Sequence, residues 1–369
     1  MDGADPTLVR RALSDREPLP GTTGFAGRLD DRLVRDVLGR EPLYVDRTSG
    51  NWGHDPTDLA DPTPVPAGHV RPVRARDGDG VTGEAERVWT LPDPGPVGGR
   101  TAVETVRRAL DSVLRGVAAG PTDGPPVAFS GGVDSALLAA RLEGPLYVAG
   151  FPGSDDVAAA REGARLLGCE PDLCVVELDH DRLRAAVPEV VAATGRTNPM
   201  DVAIAVPLFL VARAAAADGH DRLALGQGAD ELFGGYAKVA GAPGDTRVEA
   251  DTVRGARREV LGSLPNQLPR DVLALRAAGV EPVTPLLHDR VVRAALTLDG
   301  EALAGDGERK RALRLAARTW LPDRLAFRPK RALQYGSDVD TELSRLARQN
   351  GFKPRMDHNV RGYIESLVA

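Results

Sequence analysis

The chain has 369 residues, of which 42% are hydrophobic and 27% charged, with a net charge of -6. Such a length and apolar content suit a globular protein of two domains. The mild negative charge offers no basic footprint for nucleic acid, no apolar run approaches the ~18 residues of a membrane span, and no leader pattern follows Met1. The expectation is a cytoplasmic protein without nucleic-acid or membrane partners.

Residues 1–98 differ from the rest of the chain. The stretch 55–68 is rich in turn formers, and 74–83 is polar and glycine-rich. Short strands are expected near 43–45, 69–73 and 87–91. Three prolines and a glycine in Pro92-Asp93-Pro94-Gly95-Pro96 suit neither a helix nor a central strand and mark a linker. Two domains follow, 1–98 and 99–369. The second opens with a helix expected to start at Thr101. Thr101 and Glu104 form a capping box, and Val103, Val106, Leu110, Val113, Leu114 and Val117 recur at helical spacing.

The most informative stretch is Ser130-Gly131-Gly132-Val133-Asp134-Ser135. An apolar run, Pro126-Val127-Ala128-Phe129, precedes it, and a helical pattern over 136–142 follows. The order is strand, glycine turn, helix. Two glycines permit positive φ and close approach of a bulky anion. The first N–H groups of the helix and its dipole then favour phosphate, and Ser130 and Ser135 add hydroxyls. Asp134 would repel a phosphate unless a metal ion stood between them. Magnesium suits that place, since it is held by one or two carboxylates plus phosphate oxygens.

The same pattern recurs at 223–236, where Leu223-Ala224-Leu225 meets Gly226-Gln227-Gly228 and then Asp230 and Glu231. Further apolar runs at 147–151 and 173–176 alternate with helical patterns, which predicts a parallel sheet covered by helices. The glycine turns at 130, 150 and 226 then fall at carboxyl ends of strands, where open α/β sheets bind ligands. Beyond residue 255 the chain reads as mainly helical, and 241–251 as a surface loop. The two cysteines, Cys169 and Cys174, read as buried thiols, and His180, His220 and His288 as surface or capping residues.

The first motif resembles the PP-loop of ATP pyrophosphatases, and the second resembles the other signature of asparagine synthetases and their relatives, which include β-lactam synthetases. Gly279-Val280-Glu281-Pro282-Val283-Thr284-Pro285-Leu286, Lys310 with Leu313-Arg314, and Arg328-Pro329-Lys330 resemble later blocks of that family. The resemblance covers residues 100 to 340. It implies an adenine-nucleotide α-hydrolase-like fold with a helical C-terminal part and a small, mainly β N-terminal segment. That segment would be a shortened glutaminase-like remnant without the catalytic cysteine.

The implied activity is that of a ligase. A small-molecule carboxylate, aspartate or a related acid, is adenylated on ATP with Mg²⁺, pyrophosphate leaves, and ammonia or an amine displaces AMP. The implied site places Ser130, Gly131, Gly132, Asp134, Ser135, Gly226, Gln227 and Gly228 on the phosphates. Phe129 and Ala149 would meet adenine and ribose through backbone groups, and Asp134 and Asp230 would hold the metal. Lys330 and Lys310 would neutralise developing charge, and Glu281 would orient an acceptor or act as a base. Gln227 replaces a carboxylate of the family pattern, which favours a different acid and amine, including intramolecular closure. A non-catalytic nucleotide-binding protein and a tRNA-modifying ligase are the other readings. The nitrogen would come from ammonia, an amine or a separate ammonia-supplying partner, and a homodimer stays open.

Overall fold

The computed structural model describes residues 1–73, 80–81, 83–120, 124–242, 244–329, 336–353 and 359–369. Packing divides the chain into two units. The first comprises 1–116, 226–269 and 284–319, and the second 117–225, 270–283 and 320–369.

The N-terminal part of the first unit opens with α1 (Pro6–Asp15), capped by Asp5, whose carboxylate accepts from the Thr7 N–H at 2.7 Å. Two small antiparallel sheets follow. One has the order β1 (Ala26–Leu29), β2 (Arg32–Arg35), β6 (His69–Pro72), β7 (Glu86–Arg87). The other is β4 (Trp52–Gly53), β3 (Tyr44–Asp46), β5 (Pro62–Pro64). Their shared core includes Ala26, Leu33, Leu43, Val45 and Val65. Strands expected near 44, 69 and 87 are present, whereas α1, β1 and β2 had no clear signal. The helix α2 spans Gly99–Ala118 and starts before the expected Thr101. Glu104 pairs with Arg107 at 2.8 Å instead of closing a capping box.

The second unit is built on a five-stranded parallel sheet. Its order is β10 (Leu173–Glu177), β9 (Leu146–Gly150), β8 (Val127–Ala128), β11 (Arg222–Ala224), β12 (Glu281–Val283). The helices α3 (Val133–Leu142), α4 (Asp155–Leu167), α5 (His180–Thr194) and α6 (Pro199–Ala217) connect successive strands. β9 is buried at every residue, as a strand covered on both faces requires. The strand order reverses between β8 and β11, the switch point where such sheets bind ligands. The expected parallel sheet covered by helices is present.

α6 is 19 residues long with a mean hydropathy of 1.8, so by length and composition it passes as a membrane span. Its apolarity has another cause: Val202, Val206, Phe209 and Ala212 lie in the core with Leu183, Val187 and Val190 of α5.

The first unit resumes with α7 (Ala229–Phe233), α8 (Ala237–Ala240), α9 (Val253–Leu261) and the start of α10 (Leu264–Ala277), then α11 (Asp289–Leu296). Among the described residues of 241–251 none lies in a regular element, yet Val248 and Ala250 pack against Val239, Ala256 and Val260.

Candidate functional site

The first glycine motif belongs to the second unit. Phe129 ends the run that forms β8; its N–H donates to Tyr147 O at 2.7 Å, and it is 1% exposed. Its ring packs so tightly on Gly163 that a Cβ there would sit 2.9 Å from Cζ. The Phe129 side chain is therefore committed to the core. Gly131 has φ +70°, and a Cβ on it would lie 2.3 Å from Ala159 O of α4, so the turn needs glycine for both conformation and space. Gly132 caps α3 with no side-chain hydrogen bond. The first-turn N–H groups of α3 thus lack a capping side chain, the arrangement that receives phosphate oxygens. Ser135 Oγ donates to Gly132 O at 3.2 Å and lies 3.5 Å from Ser130 Oγ, and Asp134 stands in the first turn.

Arg328 secures this loop from the C-terminal part of the chain. Its Nη1 donates to Gly131 O at 3.1 Å and to Ala159 O at 2.7 Å, and its Nη2 pairs with Glu162. One guanidinium fork thereby joins the loop, α4 and the lead-in to Lys330. Lys330 itself lies outside the described residues.

Ala149 sits inside β9, paired in register with Val176 of β10. At the end of β9, Gly150 lies against Ser154, whose Oγ would be 2.4 Å from a Cβ on the glycine. Asp156, in the first turn of α4, is 6% exposed, and burial pushes its carboxyl up to about 7, with the charge of Asp338 adding to the shift. A pocket of about 400 Å³ near Leu146, Leu167, Cys169 and Trp320 lies at the other end of β9 and touches none of these residues. Cys169 and Cys174 are half-buried rather than buried, and desolvation raises both thiols, away from reactivity.

Glu281 does not fit the role its motif suggested. It starts β12 opposite Arg222, at the amino ends of the strands, is exposed, and pairs with Arg276 at 3.0 Å. Open α/β sheets bind ligands at the carboxyl ends of their strands, so Glu281 stands at the wrong end of the sheet to orient an acceptor or act as a base. His288 caps α11, accepting from the Arg290 N–H at 3.1 Å, as a capping histidine should.

The second motif belongs to the first unit. Gly226 and Gln227 are half-buried, and Gly228 takes φ +84° ahead of α7. Asp230 on α7 forms an ion pair with Lys310, Oδ1 to Nζ 2.7 Å. Lys310 is 1% exposed and holds φ +58°, an unfavourable left-handed conformation for a lysine. Glu231 is buried beside this pair and accepts Tyr236 Oη at 2.5 Å. Burial first, then the Asp230 charge, raise the Glu231 carboxyl above its usual range. Gly235 closes the cluster: a Cβ there would lie 1.8 Å from Asp230 Oδ1 and 2.5 Å from Lys310 Cε. Arg257, 1% exposed, donates to Leu232 O and Ala295 O behind α7, and burial lowers it to about 10.

Among the described residues no three carboxylate, imidazole or thiol groups converge as a metal cage. Magnesium does not need one, since it keeps waters and phosphate oxygens beside one or two carboxylates. The carboxylate of Asp134 beside the uncapped glycine cradle has the oxygen chemistry to hold a magnesium nucleotide, and Asp230 carries the same kind of donor in the first unit. Sequence reading missed Arg328 as a cross-link of the loop, Asp156, and the Glu231–Tyr236 bond. The local signals were the Arg-Pro-Lys block for the first and the acidic start of a helix for the others.

The sequence profile of the asparagine synthase family matches residues 123–260 and 240–365. A Methanocaldococcus jannaschii chain named as a glutamine-hydrolyzing asparagine synthetase is 30% identical over 291 residues, covering 69% of this chain and 53% of its own. Asparagine synthetase B of Escherichia coli is 29% identical over 251 residues, 60% of this chain and 43% of that one. The carboxyethyl-arginine beta-lactam-synthase of Streptomyces clavuligerus is 29% identical over 311 residues, 81% and 57% of the two chains. The chain spans about half the length of the curated relatives it matches.

Proposed function

Because this chain belongs to the asparagine synthetase family, we propose that it is an ATP-dependent, AMP-forming amide synthetase. A substrate carboxylate, aspartate or a related acid, attacks the α-phosphorus of ATP. A P–O bond to the bridging oxygen breaks and pyrophosphate leaves. Ammonia or an amine then attacks the acyl carbon, the C–O bond to AMP breaks, and the nitrogen sheds a proton as the amide forms.

The observation that carries this reading is the Gly131–Gly132 turn, an uncapped helix start held against α4 by Arg328. Its N–H groups and the hydroxyls of Ser130 and Ser135 bind the phosphates. Asp134 and Asp230 would supply oxygen ligands for magnesium, which would neutralise charge on the leaving pyrophosphate. Lys310 holds Asp230 in place, and Lys330 meets charge developing on the transferred groups.

A second reading is closure within one substrate, as in β-lactam formation. Gln227 favours it, because a neutral amide stands where the family pattern has a carboxylate. ATP–pyrophosphate exchange across candidate acids tests the proposal. An acid-dependent exchange supports it, and no exchange with any acid, alongside ADP formation, contradicts it. A screen of amines by AMP release then separates the two readings.

A further inference from the structure

We infer that Arg40 is a positioning residue for the second glycine turn, so that the N-terminal segment serves the synthetase chemistry as a clamp. The inference rests on the function proposed above. Arg40 is 3% exposed. Its Nε donates to Asp36 Oδ1 at 2.8 Å, and its Nη1 donates to Leu287 O and Asp289 Oδ1, both at 2.7 Å. Asp36, fully buried, also accepts from the N–H groups of Leu38 and Arg40 at 3.0 and 2.9 Å. The other oxygen of Asp289 accepts from the N–H groups of Gly21 and Thr22 at 2.9 and 2.8 Å. The Asp289 N–H donates back to Thr22 O at 2.8 Å. Two N-terminal stretches therefore grip the short turn over residues 287–289.

That turn reaches the second motif directly. Leu287 is 1% exposed, and its Cδ2 lies 2.3 Å from where a Cβ on Gly228 would be. The leucine fills the space that glycine leaves open, and Gly228 holds φ +84° beneath it. The contacts run from Asp36 through Arg40 and Leu287 to Gly228, two residues before Asp230.

Stability alone is a poor explanation for this network. A buried arginine between two carboxylates loses much of its Coulombic gain to desolvation, and apolar residues of similar size often do as well. The N-terminal sheets also have an apolar core of their own, built on Ala26, Leu33, Leu43 and Val45. What the network adds is direction: Nη1 of Arg40 fixes Leu287 O and Asp289 Oδ1 in the 287–289 turn, while its contacts with Asp36 hold the guanidinium in place.

The test compares Arg40→Lys, which keeps the charge and loses the fork, with Val45→Ala, which weakens the N-terminal core without touching the turn. Amide hydrogen exchange by mass spectrometry should show faster exchange over 226–230 in Arg40→Lys and not in Val45→Ala. In ATP–pyrophosphate exchange, Arg40→Lys should lose ~10²-fold in kcat with the KM for ATP nearly unchanged, the scale of a small misplacement away from the chemistry. Val45→Ala should keep its kcat whatever its Tm. If Arg40→Lys does not fold, the isosteric Asp289→Asn takes its place with the same expectations. Unchanged protection over 226–230 overturns the clamp whether or not the protein is active. A wild-type chain with no exchange activity counts instead against the synthetase reading.

Discussion

Lys310 Nζ lies 2.7 Å from Asp230 Oδ1, and the lysine is 1% exposed. This pair joins two motifs 80 residues apart in sequence. It also explains why a lysine persists where arginine supplies nearly every other cation: lysine occurs at only four positions in the chain. Gly235 packs against the pair, a Cβ there falling 2.5 Å from Lys310 Cε, and an ammonium is more compact than a planar guanidinium. The pair fixes the Asp230 carboxylate before any substrate arrives.

Removing the ammonium should therefore cost both stability and activity. Lys310→Met is expected to lose about 3 kcal/mol, the lower end for breaking a buried pair, because Asp230 keeps some solvent contact. Its exchange rate should fall by ~10²-fold or more. Gly235→Ala should reproduce the kinetic loss while keeping both charges, since its Cβ would run into Asp230 and Lys310. Urea unfolding and pyrophosphate exchange check both variants. A fully active Gly235→Ala would refute the assignment.

Asp156 predicts a pH dependence of stability. Its carboxyl is raised to about 7 in the folded chain, chiefly by burial. The neutral form fits the fold, so its contribution is intact below about pH 4 and is lost as pH rises toward 7, where the buried group must ionise. Asp156→Asn should raise Tm at pH 8 by at least about 3 °C, and the gain should vanish toward pH 4. Equal effects at both pH values would contradict the burial argument.

Arg328 should matter more than its pairing partner. Arg328→Lys loses the fork that joins Gly131 O, Ala159 O and Glu162, and a drop of about tenfold or more in kcat is expected. Glu162→Gln removes one arm and should cost less. Steady-state pyrophosphate release measures both, and equal losses would show that the Gly131 contact carries no weight.

The two glycine motifs were legible because their chemistry is local. Strand, turn and helix start lie within about ten residues, and a phosphate cradle needs little else. The partners that hold them were not legible. Arg328 reaches Gly131 across 197 positions and Arg40 reaches Asp289 across 249, and no spacing rule covers such distances. Glu281 was misjudged because a motif gives order along the chain, whereas strand register decides which end of the sheet a residue occupies. β2 was missed because Arg32 and Arg35 bracket only two apolar residues, although Arg35 is 1% exposed and donates to Gly39 O, Glu41 O and Val65 O. Lys330 keeps its proposed role from its motif alone.

The central claim is attack by a carboxylate on the α-phosphorus of ATP. It is tested most directly with the accepted acid labelled with ¹⁸O in its carboxylate, in a full turnover with ATP, magnesium and amine. The account predicts one ¹⁸O in AMP, unlabelled pyrophosphate and no ADP. Label in inorganic phosphate, with ADP as the nucleotide product, would contradict it.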